Sequence, residues 1–595
     1  MTEQTGLPRT IRAKVHKSAI GKVTRFFNAT FKDTVTELFQ NARRAGAKRI
    51  DVEIDGENAV ITDDGRGIKD PAVLLCFGQS EWSSTLPEDP AGMGVYAMAH
   101  SGARIASKRA GQPGWRCELK PGHFTGELPA HVVPDDSIEN AGTRVTVPLR
   151  DHKENNGFLA DDARRAAVHL PVPVTVNGQE VERQHFLDRD RLPEDPFPEP
   201  ASDQEFTIAW VKGGAGYAND HGSAVVVWAD GFKVLVRHTW TEQKDPGLVN
   251  FQGQLIRSNA LTVNIPAILG CWTAYADVSA DPFVKLVLPA RKEIVADNHT
   301  AELRERVTRS IFAVIARQTK AVALPHSVWL RGRATKGTGR WPAQPRTITG
   351  WTPRPADDTG RVEAREEETR TVHPQGLLMP ELSPAAEIII EHALERSTKT
   401  LRLYREEPRY KGYDWYDDLQ RVTSVKVTYT DAGKRHVATQ EKQSSKTPRR
   451  VRKIRVVLEV TNSDGAARKL IFPTNLAFTR LDNTFWTDEP DETGVLVDDG
   501  DPPDWDTLWS ALMYAYFTVN EDSSDSDETQ LDEFKEKAAF TATLALKGDR
   551  EALKDMIRTC VHHNLRGRLP KDTPVTIVCQ PDGGVAVEFG EQTAA

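Results

Sequence analysis

Glu37-Leu-Phe-Gln-Asn41-Ala-Arg-Arg-Ala-Gly-Ala-Lys-Arg-Ile50 (ELFQNARRAGAKRI) is the stretch on which the reading of this chain turns. With the residues before it, it predicts an amphipathic helix: Val35, Leu38, Phe39 and Ala42 fall on one stripe. Glu37 and Asn41 are spaced i,i+4 and share another face. A carboxylate and a carboxamide one turn apart can divide labour: the amide offers a neutral oxygen to a cation, and the carboxylate accepts a proton.

Outward from this helix, RIDVEIDGENAVITDDG (49–65) predicts a β-hairpin on Asp55-Gly56 that ends in Asp63-Asp64-Gly65-Arg66-Gly67-Ile68. A carboxylate at a strand end can accept an exocyclic amine, and glycines let a planar ligand approach the backbone. Gly92-Met93-Gly94-Val95 opens VYAMAHSGARI (95–105), which reads as a further helix with a glycine-rich start suited to phosphate. Gly142-Thr143 leads the strand TRVTVPLR (143–150), and VPVTVNGQEV (172–181) reads as another hairpin.

Composition bounds the rest. The chain has 595 residues and a formal net charge of −8, a length that suits about three to five domains. A mildly acidic chain does not coat nucleic acid over its whole surface. No run approaches the length of a membrane-spanning helix, and MTEQTGLPRTIRAKV lacks an apolar signal core. Cys76, Cys117, Cys271, Cys560 and Cys579 are scattered without zinc spacing. A reduced, cytoplasmic protein is expected.

Taken together and in order, these motifs resemble those of the GHKL ATPase superfamily, whose members include gyrase B subunits, the ninety-kilodalton heat-shock chaperones, histidine kinases and MutL. Glu37 and Asn41 match its N box, Asp63, Gly65 and Gly67 the first glycine box, Gly92 and Gly94 the second, and Gly142 and Thr143 the Gly-Thr box. The sequence departs from the pattern where Arg44 replaces the usual Asp. The resemblance implies an α+β fold, a two-layer α/β sandwich of the Bergerat type over residues 1–190. It implies ATP and Mg²⁺ as cofactors, with Asn41 on the metal and Glu37 as general base for hydrolysis. Asp63 would take the adenine amino group, with Ile68, Val95 and Thr143 around the nucleotide and Gly92, Met93 and Gly94 by the phosphates. Residues 69–91 would form a lid whose closure favours N-terminal dimerisation.

A transducer-like α/β domain is expected over 203–330, where LVLPARKEIVADN (286–298) resembles the MutL segment that supplies a lysine to the γ-phosphate; Arg291 is the matching residue, with Lys292 beside it, and either cation can serve the γ-phosphate. The Pro- and acid-rich 192–204 and the Pro-, Gly- and Arg-rich 331–376 read as linkers. Residues 377–595 read as a C-terminal α+β domain with an acidic loop near 520–530. Its basic stretch from Lys434 to Arg455 can bind phosphate backbones or dock the acidic stretch 487–506 of the same chain. The expected function is a Mg-dependent ATPase switch that drives a protein client, chaperone-like. The alternatives are an ATPase in DNA repair or defence against foreign DNA, and a non-hydrolysing ATP sensor.

Overall fold

A computed structural model describes residues 30–76, 78, 94–149, 156–211, 222–239, 247–287, 293–353, 369–438, 448–479, 481, 494–517, 519, 523–565, 574–580 and 585–590. The chain divides into two units, residues 1–345 and 346–595, and its class is α+β.

The first unit opens with helix α1 (Phe31–Arg44), started by a capping box between Thr30 and Asp33. The predicted hairpin follows as β1 (Ile50–Ile54) and β2 (Asn58–Asp63), in register from Ile50↔Asp63 to Ile54↔Ala59. Strands β3 (Ala103–Lys108), β4 (Trp115–Leu119), β5 (Val132–Pro134), β6 (Gly142–Pro148), β7 (Val174–Val176) and β8 (Gln179–Glu180) complete a sheet of order β5-β4-β3-β6-β2-β1-β7-β8. Phe31, Val35, Phe39 and Ala42 of α1 and Leu159, Ala163 and Ala167 of α2 (Asn156–Ala167) share one core with Ile50, Val52, Ile61, Ile105 and Val145 of the sheet. The helix expected over 95–105 is a short 3-10 turn, Gly94–Met98, and the chain then enters β3. The β-branched Ile105 and the pairing of β3 with both β4 and β6 favour a strand over a longer helix.

A second sheet in the same unit runs β13-β12-β15-β11-β10-β9, with β14 beside β15. Its strands are β9 (Phe206–Trp210), β10 (Ala224–Trp228), β11 (Lys233–Thr239), β12 (Leu248–Phe251), β13 (Gln254–Arg257), β14 (Asn264–Pro266) and β15 (Cys271–Asp277). Helix α3 (Asn298–Ala316) buries Leu303, Val307, Ile311 and Val314 in the core of this sheet. The acid-rich stretch 192–204 is anchored rather than free: Phe197 packs with Val225, Val227 and Leu235. Helix α4 (His326–Ala334) runs past the expected boundary at 330, and the Trp341 ring sits where Gly332 leaves room. The expected linker 331–376 thus carries structure at both ends, with β16 (Thr347–Thr349) paired to β17 (Thr369–Thr371) in the second unit.

The second unit is built on a sheet of order β19-β18-β20-β22-β25-β24. These strands are β18 (Leu377–Met379), β19 (Leu403–Arg405), β20 (Gln420–Asp431), β22 (Arg449–Thr461), β24 (Leu476–Phe478) and β25 (Val495–Asp498); β21 (Lys434–Val437) and β23 (Ala467–Pro473) pair at its sides. Helices α5 (Pro384–Glu395), α6 (Trp505–Tyr516) and α7 (Asp527–Lys547) share its core, and α8 (Asp549–Leu565) follows. The acidic loop expected near 520–530 is partly helical. Ser526 caps α7, and Asp527 and Glu528 lie in its first turn, where the helix dipole favours negative charge. Among the described residues no helix is long and apolar enough to cross a membrane.

Candidate functional site

The buried stripe of α1 fixes the rotation of the helix, and that rotation fixes its polar residues. Glu37, Asn41 and Arg44, at i, i+4 and i+7, share one face. The Arg44 guanidinium donates to Asn41 Oδ1 at 3.0 Å and lies 3.7 Å from Glu37 Oε1. The Arg44 side chain is only 5% exposed and that of Glu37 19%. Opposite them, a Cβ added to Gly94 would lie 2.3 Å from Glu37 Oε1. Only a residue without a side chain lets the start of the Gly94–Met98 turn come this close to the carboxylate.

The second part of the site crosses the sheet. Asp63 pairs with Thr143, and Thr143 with Ser107, so the three form a row over β2, β6 and β3 on one face. Asp63 Oδ1 accepts the Gly65 N–H at 2.9 Å. Burial, reinforced by the neighbouring Asp64 charge, pushes the Asp63 carboxyl from its ordinary 3.8 up to about 6, against the opposing hydrogen bonds from the Gly65 and Thr143 backbone. Ser107, fully buried, joins three segments: its Oγ accepts the Ile68 N–H at 2.9 Å, donates to Gly142 O at 3.0 Å and is 3.1 Å from Thr143 Oγ1.

The loop after β2 is tied down by its own residues. Asp64 Oδ1 accepts the Lys48 and Arg49 N–H groups at 2.6 and 3.0 Å, and Arg66 N donates to Ala45 O at 3.0 Å. Gly67 (φ +72°) passes so close to Lys108 that a Cβ would lie 2.1 Å from its carbonyl oxygen. Asp64 is therefore a clamp between the loop and the Lys48-Arg49 entry to β1, and Asp63 is the carboxylate that stands in the row with Thr143.

The structure brings together Glu37, Asn41 and Gly94 at α1, and Asp63, Gly65, Ile68 and Thr143 at the strand ends, with Val95 partly buried against the core shared by both groups. Gly92, Met93, Arg291 and Lys292 lie outside the described residues, as does most of the expected lid. Of that lid, Pro71–Leu74 forms a 3-10 turn, and Tyr96 donates its hydroxyl to Leu75 O at 3.1 Å. On either side of Arg291 and Lys292, Val287 N donates to Glu293 O and Val295 N to Lys285 O, so the flanking segments pair.

Two residues that sequence reasoning missed are Ser107 and Gln40. Ser107 sits in a strand at a core-facing position, a polar residue on an apolar phase, which is the available signal. Gln40 is 3% exposed, and its Nε2 donates to Gln252 O at 3.1 Å, joining α1 to the turn between β12 and β13. Gln252 is held in turn by Ser279, whose Oγ accepts its N–H at 2.8 Å.

A partial stretch of this chain is similar to a MutL protein. Over 152 residues it is 30% identical to the DNA mismatch repair protein MutL of Thermus aquaticus, covering 24% of this chain and 28% of that one. The chain thus matches under a third of the length of this curated relative. No protein-family model matches.

The residues present do not fit a Mg²⁺ ion as they stand. Asn41 Oδ1, the oxygen expected to face the metal, already accepts the Arg44 guanidinium.

In the second unit three arginines of the basic stretch have partners within the chain. Arg449 lies 5.3 Å over the Tyr429 ring, Arg450 donates to Leu546 O, and Arg452 is 3.5 Å from Asp499. Arg449–Val451 also pairs with Leu496–Asp498 of the acidic stretch. Residues 439–447 lie outside the described residues. A cavity of about 830 Å³ in this unit is lined by Trp505, Trp509, Phe540, Thr543 and Met556, none of them a predicted site residue.

Proposed function

We propose that the first unit binds ATP and hydrolyses it to ADP and phosphate. The observation that carries this reading is the Asp63–Thr143–Ser107 row set beside the Glu37 face of α1. A carboxylate whose pKa burial has raised is short of donors, and the exocyclic amine of adenine is a neutral donor that relieves this. In this reading Asp63 selects adenine, the Thr143 hydroxyl lies beside the base, and Ile68 offers an apolar wall. Glu37 accepts the proton of the water that attacks the γ-phosphate. Arg291 or Lys292 supplies positive charge to the γ-phosphate, as the resemblance implies.

ATP binding favours the closed state to the degree that this state binds ATP more tightly than the open one. The Gln40–Gln252 contact supports transmission from α1 to the second sheet. The closed state is a homodimer, and the second unit holds its partner. That partner is a protein client in a chaperone-like reading. The partial similarity to a mismatch repair protein is the ground for a second reading, an ATPase that works with DNA. Arg449, Arg450 and Arg452 of the basic stretch have partners within the chain that a DNA contact there would have to displace.

The test is ATP turnover by purified wild type and Glu37→Ala, with oligomeric state followed by light scattering. Turnover lost with nucleotide binding kept supports Glu37 as the base. Equal turnover in both removes it. Stimulation by duplex DNA, or by unfolded protein, then chooses between the two partners.

A further inference from the structure

The position of Arg44 has a consequence for how the phosphate end of this site is charged. Arg44 ends α1, and a basic residue in a last helical turn is commonly a complement to the helix dipole. That explanation does not account for the direction of the side chain. Arg44 turns inward, 5% exposed, with Nη1 3.0 Å from Asn41 Oδ1 and 3.7 Å from Glu37 Oε1. Its backbone is clamped as well: the next residue, Ala45, accepts Arg66 N through its carbonyl, and its N–H donates to Asn41 O. A guanidinium stays charged at every working pH, so it does not leave by losing a proton. A divalent cation on the same amide oxygen would stand within about 4 Å of the guanidinium, and the two would repel.

We propose that Arg44 is the resident cation at the phosphate end of the site, and that it takes the place of a divalent ion beside Asn41 and Glu37. This rests on the ATP-binding reading. Nucleotide affinity should then depend little on Mg²⁺, because the charge that offsets the phosphates is part of the chain. Guanidinium also suits this task chemically, since its planar donors match phosphate oxygens.

The experiment is calorimetric titration of the full chain with a non-hydrolysable ATP analogue, in Mg²⁺ and in EDTA. Wild type is expected to change affinity by less than about 3-fold between the two, and Arg44→Gln to bind at least about 10-fold more weakly in EDTA than in Mg²⁺. Arg44→Lys, which keeps the charge, should lie between them. Wild-type binding that falls by more than about 10-fold in EDTA overturns the proposal and leaves the ATP reading standing. No binding by wild type in either buffer overturns both. If Arg44→Gln does not fold, as judged by its circular dichroism, the wild-type comparison still decides.

Discussion

Replacing Asp63 by Asn should make the nucleotide-free protein more stable while abolishing nucleotide binding. The magnitude follows from the carboxyl, which burial raises from 3.8 to about 6. The unfolded chain releases this proton near 3.8 and the folded chain holds it to about 6, so between these values the folded state binds more protons. Stability therefore falls as pH rises through this window, and the full penalty applies above it. A shift of about two units at ~1.4 kcal/mol each makes the penalty about 3 kcal/mol at pH 7.5, roughly half that at pH 5, and close to none below pH 4. Asn cannot ionise, and its Oδ1 can still accept the Gly65 N–H that Asp63 accepts at 2.9 Å. Urea unfolding of wild type and variant at pH 7.5 and 5, with the first unit's transition assigned by proteolysis, reads the difference. Calorimetry with an ATP analogue reads the loss of binding. A stability difference between variant and wild type that is the same at both pH values, or unchanged nucleotide affinity, would refute the argument that Asp63 is held charged and under-solvated for a ligand's donor.

Three further substitutions probe other parts of the site. Gly94→Ala places a Cβ 2.3 Å from Glu37 Oε1, so either the carboxylate or the turn must move; turnover should fall by at least about 10-fold, measured by phosphate release. Ser107→Ala removes the acceptor of the Ile68 N–H and the partner of Gly142 O, costing about 1–3 kcal/mol in urea unfolding and weakening nucleotide binding. Gln40→Ala cuts the link to Gln252 O; stability should drop by about 1 kcal/mol, ATP affinity should change little, and nucleotide-driven association, followed by light scattering, should weaken.

How much of this was legible beforehand varies with the range of the interaction. The hairpins at Asp55-Gly56, Asn177-Gly178 and Asp230-Gly231 are local, and alternation plus turn chemistry marks them. The polar face of α1 is likewise readable from i,i+4 spacing. The segment after Val95 misled because Tyr96, Met98 and Ala99 are apolar at near-helical spacing, yet β3 is drawn into the sheet by pairing with β4 and β6, which no local pattern encodes. Ser107, Gln40 and the inward turn of Arg44 depend on contacts between distant segments or on packing around the helix end. The basic and acidic stretches of the second unit could be matched by charge alone, but the register that sets Arg449 against Leu496 could not.

The geometry of α1 explains why one residue, Arg44, bears on the whole site. A helix repeats every 3.6 residues, so its stripes are rigidly phased to one another. One stripe, through Phe31, Val35, Phe39 and Ala42, is locked in the core. A second carries Glu37, Asn41 and Arg44 to the site, and Gln40 leaves on a third bearing to reach the β12–β13 turn. Movement of Glu37 relative to Gln40 would require distortion of a helix whose capping box and buried stripe hold both ends. A shift that a bound phosphate forces on the backbone at Arg44 would therefore move α1 as a body, and the Gln40–Gln252 hydrogen bond is a contact through which the second sheet would register it. If Arg44 stays on Asn41 when nucleotide binds, α1 has no reason to move, and the coupling must run through the segment around Arg291 and Lys292 instead. Hydrogen exchange at Gln252 and Gly253, compared with and without nucleotide in wild type and Arg44→Gln, separates the two routes.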